Sequence, residues 1–408
     1  MKIGIYLPDV RPDSGGAFTF VETVLPALLG ANSHDSVVVF HYGPSRDVPR
    51  FADARLELHS LASSQLGRWS RKVWFGEIAS RCQAPLSVMS RVLARSLPYP
   101  ASSPLDHAAR ARGIDLMWFP TPIFELVEVP YVITIWDLEH RAQPYFPELS
   151  ARGEWQARER LLTDALRRAS YIITGTAVGR DEIVRFYGVD ARRVRIMPHP
   201  TPTFALESAH AEHVSPPPRL PRPYVLYPAQ FWSHKNHVGL LHALAELKRR
   251  GTVVHGAFVG SDKGNLEHVR RRTDALGLTD EVHFLGFVAR EELIALYCHA
   301  AALAYVSLCG PENLPPLEAM ALGCPVVASD IPGAREQLGD AALLVDTLDP
   351  AALADAIERV TTSPQLRSEL EARGTLRAAR YTQTEFARDL NALIEEFRRR
   401  RDLWGHVA

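Results

Sequence analysis

The strongest chemical signal in this sequence is a loop that enters a helix through consecutive prolines. Gly310-Pro311-Glu312-Asn313-Leu314-Pro315-Pro316 follows the β-rich run Leu303 to Ser307 and leads into a helical stretch, Pro316 to Leu322. Proline in the first helical turn gives up an amide that would be orphaned in any case. The amides that remain, with the positive end of the helix dipole, make a seat for an anion such as a diphosphate. A second stretch, Tyr224-Val225-Leu226-Tyr227-Pro228-Ala229-Gln230-Phe231-Trp232-Ser233-His234-Lys235-Asn236-His237, sets Lys235 at a helix start behind a strand. A cation is poorly placed beside a positive helix end unless an anion lies with it. Near the start of the chain, Gly15 and Gly16 separate the first strand from a helix beginning near Phe18. Glycine there lets the backbone approach a phosphate or sugar closely, although such a pair reads equally as a plain strand-to-helix turn.

Asp137 and His140 follow the run Tyr131 to Trp136 and so stand at the carboxyl end of a strand. Asp137 suits either orienting or deprotonating an acceptor hydroxyl, or capping its own loop. His140 reads as an acceptor-side group or as a structural histidine. The chain has no Asp-x-Asp and no His/Cys/Glu cluster at metal-ligand spacing, so no metal is expected. It also lacks G-x-G-x-x-G and G-x-x-x-x-G-K-[ST], which argues against dinucleotide oxidoreductases and P-loop enzymes.

The elements that must position these residues alternate. Ile3 to Leu7, Val37 to Phe40, Leu116 to Phe119, Tyr131 to Trp136 and Tyr171 to Thr174 are short β-rich runs separated by helical periodicity. The pattern restarts with Tyr224 to Tyr227, Val253 to Val259, Val282 to Leu285, Leu303 to Ser307, Pro325 to Ser329 and Ala342 to Val345. Two α/β units with doubly wound parallel sheets are expected. Between them, the prolines from Pro198 to Pro223 mark a linker over 201–222. The expected division is 1–200 for the N-terminal domain and 223–385 for the C-terminal one, with a helix over 386–408 returning to the first. Ligands of open α/β sheets sit at the carboxyl ends of the strands, so a central cleft between the two is the expected site.

A length of 408 residues with 46% hydrophobic and 23% charged residues fits two globular domains. With 46 basic and 47 acidic residues the net charge is -1, which leaves no global field for holding nucleic acid. Cys82, Cys298, Cys309 and Cys324 are far apart and fit buried thiols in a reducing compartment. The first strand is too short for a signal segment and no run reaches about 18 apolar residues, which points to the cytoplasm. Residues 69–97 mix Trp69, Val73, Trp74 and Ile78 with Arg71, Lys72 and Arg81, and Arg68 immediately precedes them. This segment reads either as a helical insertion on the N-terminal domain or as a peripheral contact with the inner membrane.

The stretch Gly310 to Ser329, with Tyr224 to His237, resembles the donor site of the retaining family 4 glycosyltransferases of GT-B fold. The resemblance implies two Rossmann-like domains and a nucleotide-diphosphate sugar as donor, with no cofactor. In the family's pattern the second of two glutamates holds the ribose hydroxyls, and Glu318 matches it; Lys235 matches the phosphate-contacting lysine. The first glutamate falls on Gly310. Either Glu312 takes its place at the donor sugar, or that contact passes to the backbone and Asn313, with Leu314 beside them. Gln230 and His234 stand where the family has arginines, and a protonated His234 would restore part of that charge. Gly15 and Gly16 match the family's N-terminal glycine loop, and Trp136-Asp137 stands for its His-Asp.

The same residues are similar to a bacterial subgroup that includes O-antigen mannosyltransferases. The resemblance therefore implies transfer of a hexose, mannose-like, from a GDP- or UDP-sugar to a saccharide or lipid-linked acceptor with retention. Lys235, Glu312 and Asp137 are the expected catalytic residues. Two other readings stand beside it: a sugar-nucleotide epimerase of the same fold, and a non-catalytic nucleotide-sugar-binding subunit, which Gly310, Gln230 and His234 keep open.

Overall fold

The computed structural model describes residues 1–7, 15–31, 34–42, 55–61, 103–208 and 220–404. The chain falls into two compact units. The first comprises Met1–Thr174, Gly179–Met197 and Ala387–Ala408; the second comprises Gly175–Val178 and Pro198–Phe386. Residues 69–97 lie outside the described residues.

The first unit is built on seven strands: β1 (Lys2–Leu7), β2 (Ser36–His41), β3 (Leu56–Ser60), β4 (Leu116–Phe119), β5 (Tyr131–Thr134), β6 (Tyr171–Thr174) and β7 (Val194–Ile196). Their order is β3-β2-β1-β4-β5-β6-β7 and all pairings are parallel. A parallel sheet covered on both faces needs apolar side chains on both, and every residue of β4, β5 and β6 is buried. The edge strands differ. Leu56–Ser60 is largely exposed, and Val194–Ile196 carries Arg195, whose guanidinium reaches Glu396 at 2.8 Å and lies 5.1 Å over the Tyr171 ring. Charged, half-solvated edges lack the apolar run that marks a buried strand, so neither β3 nor β7 was legible in the sequence.

The helix Gln383–Arg401 contributes all but its first turn, from Ala387 on, to this unit. Leu390, Leu393, Ile394 and Phe397 are buried. Its basic run does more than face a helix dipole. Arg398 donates to the fully buried carboxylate of Asp35 at 2.6 Å, and Arg401 donates to Asp115 at 3.1 Å.

The second unit holds β8 (Tyr224–Pro228), β9 (His255–Val259), β10 (Val282–Gly286), β11 (Ala302–Tyr305), β12 (Val326–Ser329) and β13 (Ala342–Val345), in the parallel order β10-β9-β8-β11-β12-β13. The strand order reverses direction between β8 and β11, the place where the carboxyl ends of a doubly wound sheet open to a ligand. One continuous core joins both faces of this sheet, with Tyr224, Tyr227, Phe258, Tyr297 and Met320 in it.

Several sequence boundaries shift. The strand expected over Val253 to Val259 begins at His255, and the one expected over Tyr131 to Trp136 ends at Thr134. Within the expected linker 201–222, Thr203–Ser208 is a helix with Ala205 in the core of the second unit. Prolines flank that helix without entering it, which is why they misled. Cys309 and Cys324 are buried as expected, whereas Cys298 is exposed. No described helix is long and apolar enough to cross a membrane.

Candidate functional site

The carboxyl ends of β8 and β11 carry the loops that the sequence singles out. After β8 the chain makes a short 3-10 turn, Ser233–Lys235, and Asn236 in the left-handed region (φ 53°) caps the helix His237–Arg249 through its side chain. Lys235 is therefore in the turn ahead of the helix, and the helix proper starts two residues later. Its ammonium donates to the hydroxyls of Tyr305 (3.2 Å) and Ser307 (3.3 Å) and lies 5.5 Å from the Tyr305 ring centroid. None of the ion pairs among the described residues includes it. A cation held only by hydroxyls, at the switch point of the sheet, retains its attraction for an anion.

The loop after β11 is fastened at every step. Leu308 N–H donates to the His234 carbonyl (2.9 Å), and Ser307 Oγ donates to the Cys309 carbonyl (2.8 Å). Asn313 donates from Nδ2 to the Gly310 carbonyl (2.8 Å) and accepts from Tyr305 Oη (2.8 Å). Its backbone is gripped on both sides by Gln337, which accepts from Asn313 N–H at 3.0 Å and donates to its carbonyl at 2.9 Å. Gly310 has φ 97°, and an added Cβ would stand 3.0 Å from Asn313 Oδ1. In this loop conformation the backbone favours glycine at 310 over a glutamate.

The helix Leu314–Ala321 begins two residues earlier than the sequence suggests, with Asn313 as its cap position and Pro315 and Pro316 in its first turn. The prolines remove two of the amides that a helix start leaves unpaired. That of Leu314 remains, with the dipole, at the end near the loop; the Leu317 N–H is the first that a helix starting there turns back on residue 313. Glu318 sits one turn in, buried, and accepts from Tyr297 Oη at 2.7 Å. Burial pushes its carboxyl up to about 7 against the opposing pull of Tyr297 and Arg290.

Glu312 is the surprise of the loop. Its side chain is only 4% exposed, and Oε1 accepts from the His199 N–H at 3.0 Å. Burial pushes its carboxyl up to about 8. It is neither an exposed loop acid nor a group presented on the loop surface. Gln230 accepts from Trp232 Nε1 at 3.2 Å, and His234 lies parallel to the Trp232 ring with centroids 6.3 Å apart.

In the first unit, Gly15 takes φ 69° and accepts at its carbonyl from Phe18 N–H (3.0 Å), while Gly16 opens the helix Gly16–Ala31 and is exposed. The positive φ is the physical reason for glycine at 15. Asp137 Oδ1 accepts from Glu139 N–H at 3.1 Å, the loop-capping arrangement. His140 is fully buried and its Nε2 meets Glu159 Oε1 at 2.8 Å; Tyr187 Oη donates to the same oxygen at 2.7 Å, and Arg141 closes the cluster. Burial lowers the His140 pKa. This packing makes His140 part of a structural knot. Among the described residues no group of three or more His, Cys, Asp or Glu is arranged to hold a metal ion.

The sequence profile of the glycosyl transferases group 1 family matches residues 210–377, the part of the chain that carries this loop, Lys235 and Glu318. This segment is a group 1 glycosyltransferase domain. Among curated relatives, the O-antigen chain mannosyltransferase RfbU of Salmonella typhimurium is 30% identical over 215 residues, covering 50% of this chain and 54% of the relative. O-antigen chain mannosyltransferase B of Escherichia coli is 28% identical over 249 residues, covering 58% of this chain and 63% of its own. The matches thus span less than two thirds of either relative. Solved structures cover the chain more fully. Sucrose-phosphate synthase from Thermosynechococcus elongatus superposes with TM-score 0.70 at 20% identity over 97% of this chain and 99% of its own. Anabaena HepE in complex with UDP-glucose gives 0.67 at 17% identity over 97% and 100%. At such identities the likeness shows the fold, which is GT-B.

Around the group 1 domain's site, sequence reasoning missed Tyr305, Ser307, Tyr297, Gln337, His199 and Gly175. Tyr305 ends β11 and Ser307 lies two residues beyond it, both within the run Leu303 to Ser307 that the sequence marked, so their place at its carboxyl end was a usable signal. Tyr297 and Gln337 arrive from distant helices, Arg290–His299 and Ala334–Leu338, and no local pattern marks them. In the first unit the same holds for Glu182, whose carboxyl is pushed up by burial and by the nearby charge of Asp137.

Proposed function

We propose that the protein transfers a hexose, mannose being the first candidate, from a GDP- or UDP-sugar to a saccharide or lipid-linked saccharide, with retention, in building a surface polysaccharide or glycoconjugate. The observation that carries the reading is Lys235, held by two hydroxyls at the β8/β11 switch point beside a proline-started helix that also carries Glu318. Lys235 and the helix start at Leu314 receive the diphosphate, and Glu318 receives the ribose hydroxyls. Asn313, Gln230 and His234 line the donor loops. In the reaction the bond between sugar C1 and the β-phosphate oxygen breaks, and a bond from the acceptor oxygen to C1 forms on the same face. The acceptor proton passes to the leaving phosphate, whose growing charge Lys235 and the helix end stabilise. A positioned hydroxyl needs no stronger base than that, and Asp137 is assigned to orient it. Gly15 and Gly16 are assigned to close approach of the backbone to the substrate.

Support for the sugar and acceptor comes from the names of the relatives, two of which are O-antigen chain mannosyltransferases; support for a nucleotide donor comes from HepE, solved with UDP-glucose. A nucleotide-sugar donor fits a cytoplasmic location, and the donor set here supplies the positive charge without a divalent metal or other cofactor. The test is thermal shift against UDP, GDP, ADP, dTDP and CMP, followed by turnover of the matching sugar nucleotide in EDTA. A ligand at 100 times its Kd stabilises by about 2.7 kcal/mol. Selective stabilisation by GDP, then mannose transfer that persists in EDTA, is expected; no stabilisation by any of the five refutes the donor site.

A further inference from the structure

Glu312 remains unexplained by the donor reading. Its carboxyl lies inside the second unit, with Oε1 on the His199 N–H at 3.0 Å and Oε2 3.7 Å from the buried His199 ring. On its other side is Gly175, where an added Cβ would fall 1.3 Å from Glu312 Oε2. The carboxyl therefore fills the space that any side chain at 175 would claim. Two parts of the chain more than a hundred residues away thus meet at one acid on the donor loop.

We propose that Glu312 is a positioning residue: its carboxyl fastens the donor loop to Gly175 and His199 from within the unit and does not contact the donor. The proposal rests on the donor-site reading for its functional consequence, though not for its geometry. The next residue, Asn313, is clamped by Gln337 and receives Tyr305 Oη, on which Lys235 Nζ in turn rests. Releasing Glu312 frees the first link of a chain of contacts that ends at the lysine.

The surroundings also fix the form in which the acid acts. The charged and titratable groups facing it are His199 and Glu336. The His199 ring is pushed down to about 4 by burial and is uncharged at neutral pH. Glu336 brings negative charge, with both its oxygens 2.9 Å from the Ala177 N–H. The Arg377 guanidinium near Glu336 is spent on the Glu336 and Gln337 carbonyls, and among the described residues no ion pair brings a Lys or Arg to Glu312; an ionised Glu312 would be a buried anion near a second one, so the acid is protonated at neutral pH. A neutral amide of the same shape fulfils the same contacts.

The test uses the full-length protein as wild type, Glu312→Gln, Glu312→Ala and Gly175→Ala. Hydrogen exchange of the His199 amide and of the 309–314 peptide is followed at pH 7, and affinity is measured for the nucleoside diphosphate that stabilises the wild type. Glu312→Gln is expected to keep wild-type protection and to bind within about twofold. Glu312→Ala and Gly175→Ala are expected to speed exchange about tenfold or more and to weaken the diphosphate by a similar factor. Above pH about 8, exchange corrected for intrinsic chemistry rises in the wild type and stays flat in Glu312→Gln. A Gln variant as impaired as the Ala variant means the carboxylate touches the donor and overturns the proposal, as does an Ala variant indistinguishable from wild type. Should the Ala variants fail to fold, the pH profiles of wild type and Glu312→Gln decide alone, and coincident profiles overturn it. Should the wild type bind no nucleoside diphosphate, the donor reading falls while the exchange arm still judges the strut.

Discussion

Glu318 offers a test in which chemistry and pH bear on the same contact. Its carboxyl, buried against Tyr297 Oη at 2.7 Å, has its pKa pushed up to about 7. Ribose hydroxyls donate to the ionised form most strongly, and a hydrogen bond to a charged acceptor contributes about 1.5–3 kcal/mol. Removing one of them with a 2′-deoxyribose nucleotide should weaken binding about 10- to 150-fold at pH 8. About one tenth of Glu318 is ionised at pH 6 and about nine tenths at pH 8, so the preference for ribose over deoxyribose should shrink as pH falls through about 7. Because both nucleotides carry the same phosphates, their ratio cancels phosphate titration. The assay is calorimetric binding of the paired nucleotides at pH 6, 7 and 8 to wild type, Glu318→Gln and Glu318→Ala. In the Gln variant the preference should be smaller and independent of pH; in the Ala variant it should vanish. The Ala variant also leaves Tyr297 Oη without its acceptor, at a cost of about 1–3 kcal/mol, so its melting curve must be recorded alongside. A Glu318→Ala protein that folds and still prefers ribose as strongly as wild type refutes the assignment.

Two further outcomes are expected. Lys235→Ala should weaken a nucleoside diphosphate about 10- to 100-fold, one charge-assisted contact, while leaving the unphosphorylated nucleoside unchanged; calorimetry with both ligands checks it. Stability should fall between pH 6.5 and 8. Glu312 and Glu318 have folded pKa values raised to about 8 and about 7, so their contribution is present at low pH and lost as pH rises through those values. His199 and His237 are lowered to about 4 and about 3, so theirs is present above pH 6.5 and lost only on acidification. The two trends oppose each other below pH 6.5, and above it the acids alone remain. At about 1.4 kcal/mol per pH unit, Glu312 accounts for a fall of about 2 kcal/mol by pH 8. Urea titrations should show that fall in the wild type and a reduced one in Glu312→Gln; an unchanged slope refutes it.

The sequence by itself determined the class of fold and the order of the elements that carry the candidate site. Buried parallel strands must be apolar on both faces, so Leu116–Phe119 and Tyr171–Thr174 declare themselves, as does the strand leading to the proline-started helix. The edge strands β3 and β7 did not, because half-solvated strands tolerate Glu57 and Arg195 and so lose the apolar run. The basic end of the last helix was visible as charge, but its pairing with Asp35 and Asp115 depends on partners hundreds of residues away. At the candidate site, the turn that carries Lys235 and the proline-bearing start of the helix that carries Glu318 were legible because a helix start is local geometry, while the choice of Glu318 itself came from the family resemblance. The role of Glu312 was not. A glutamate in a loop looks solvated in one dimension, and only the tertiary structure brings Gly175 and His199 around it, removes its water and makes the neutral acid the stable form.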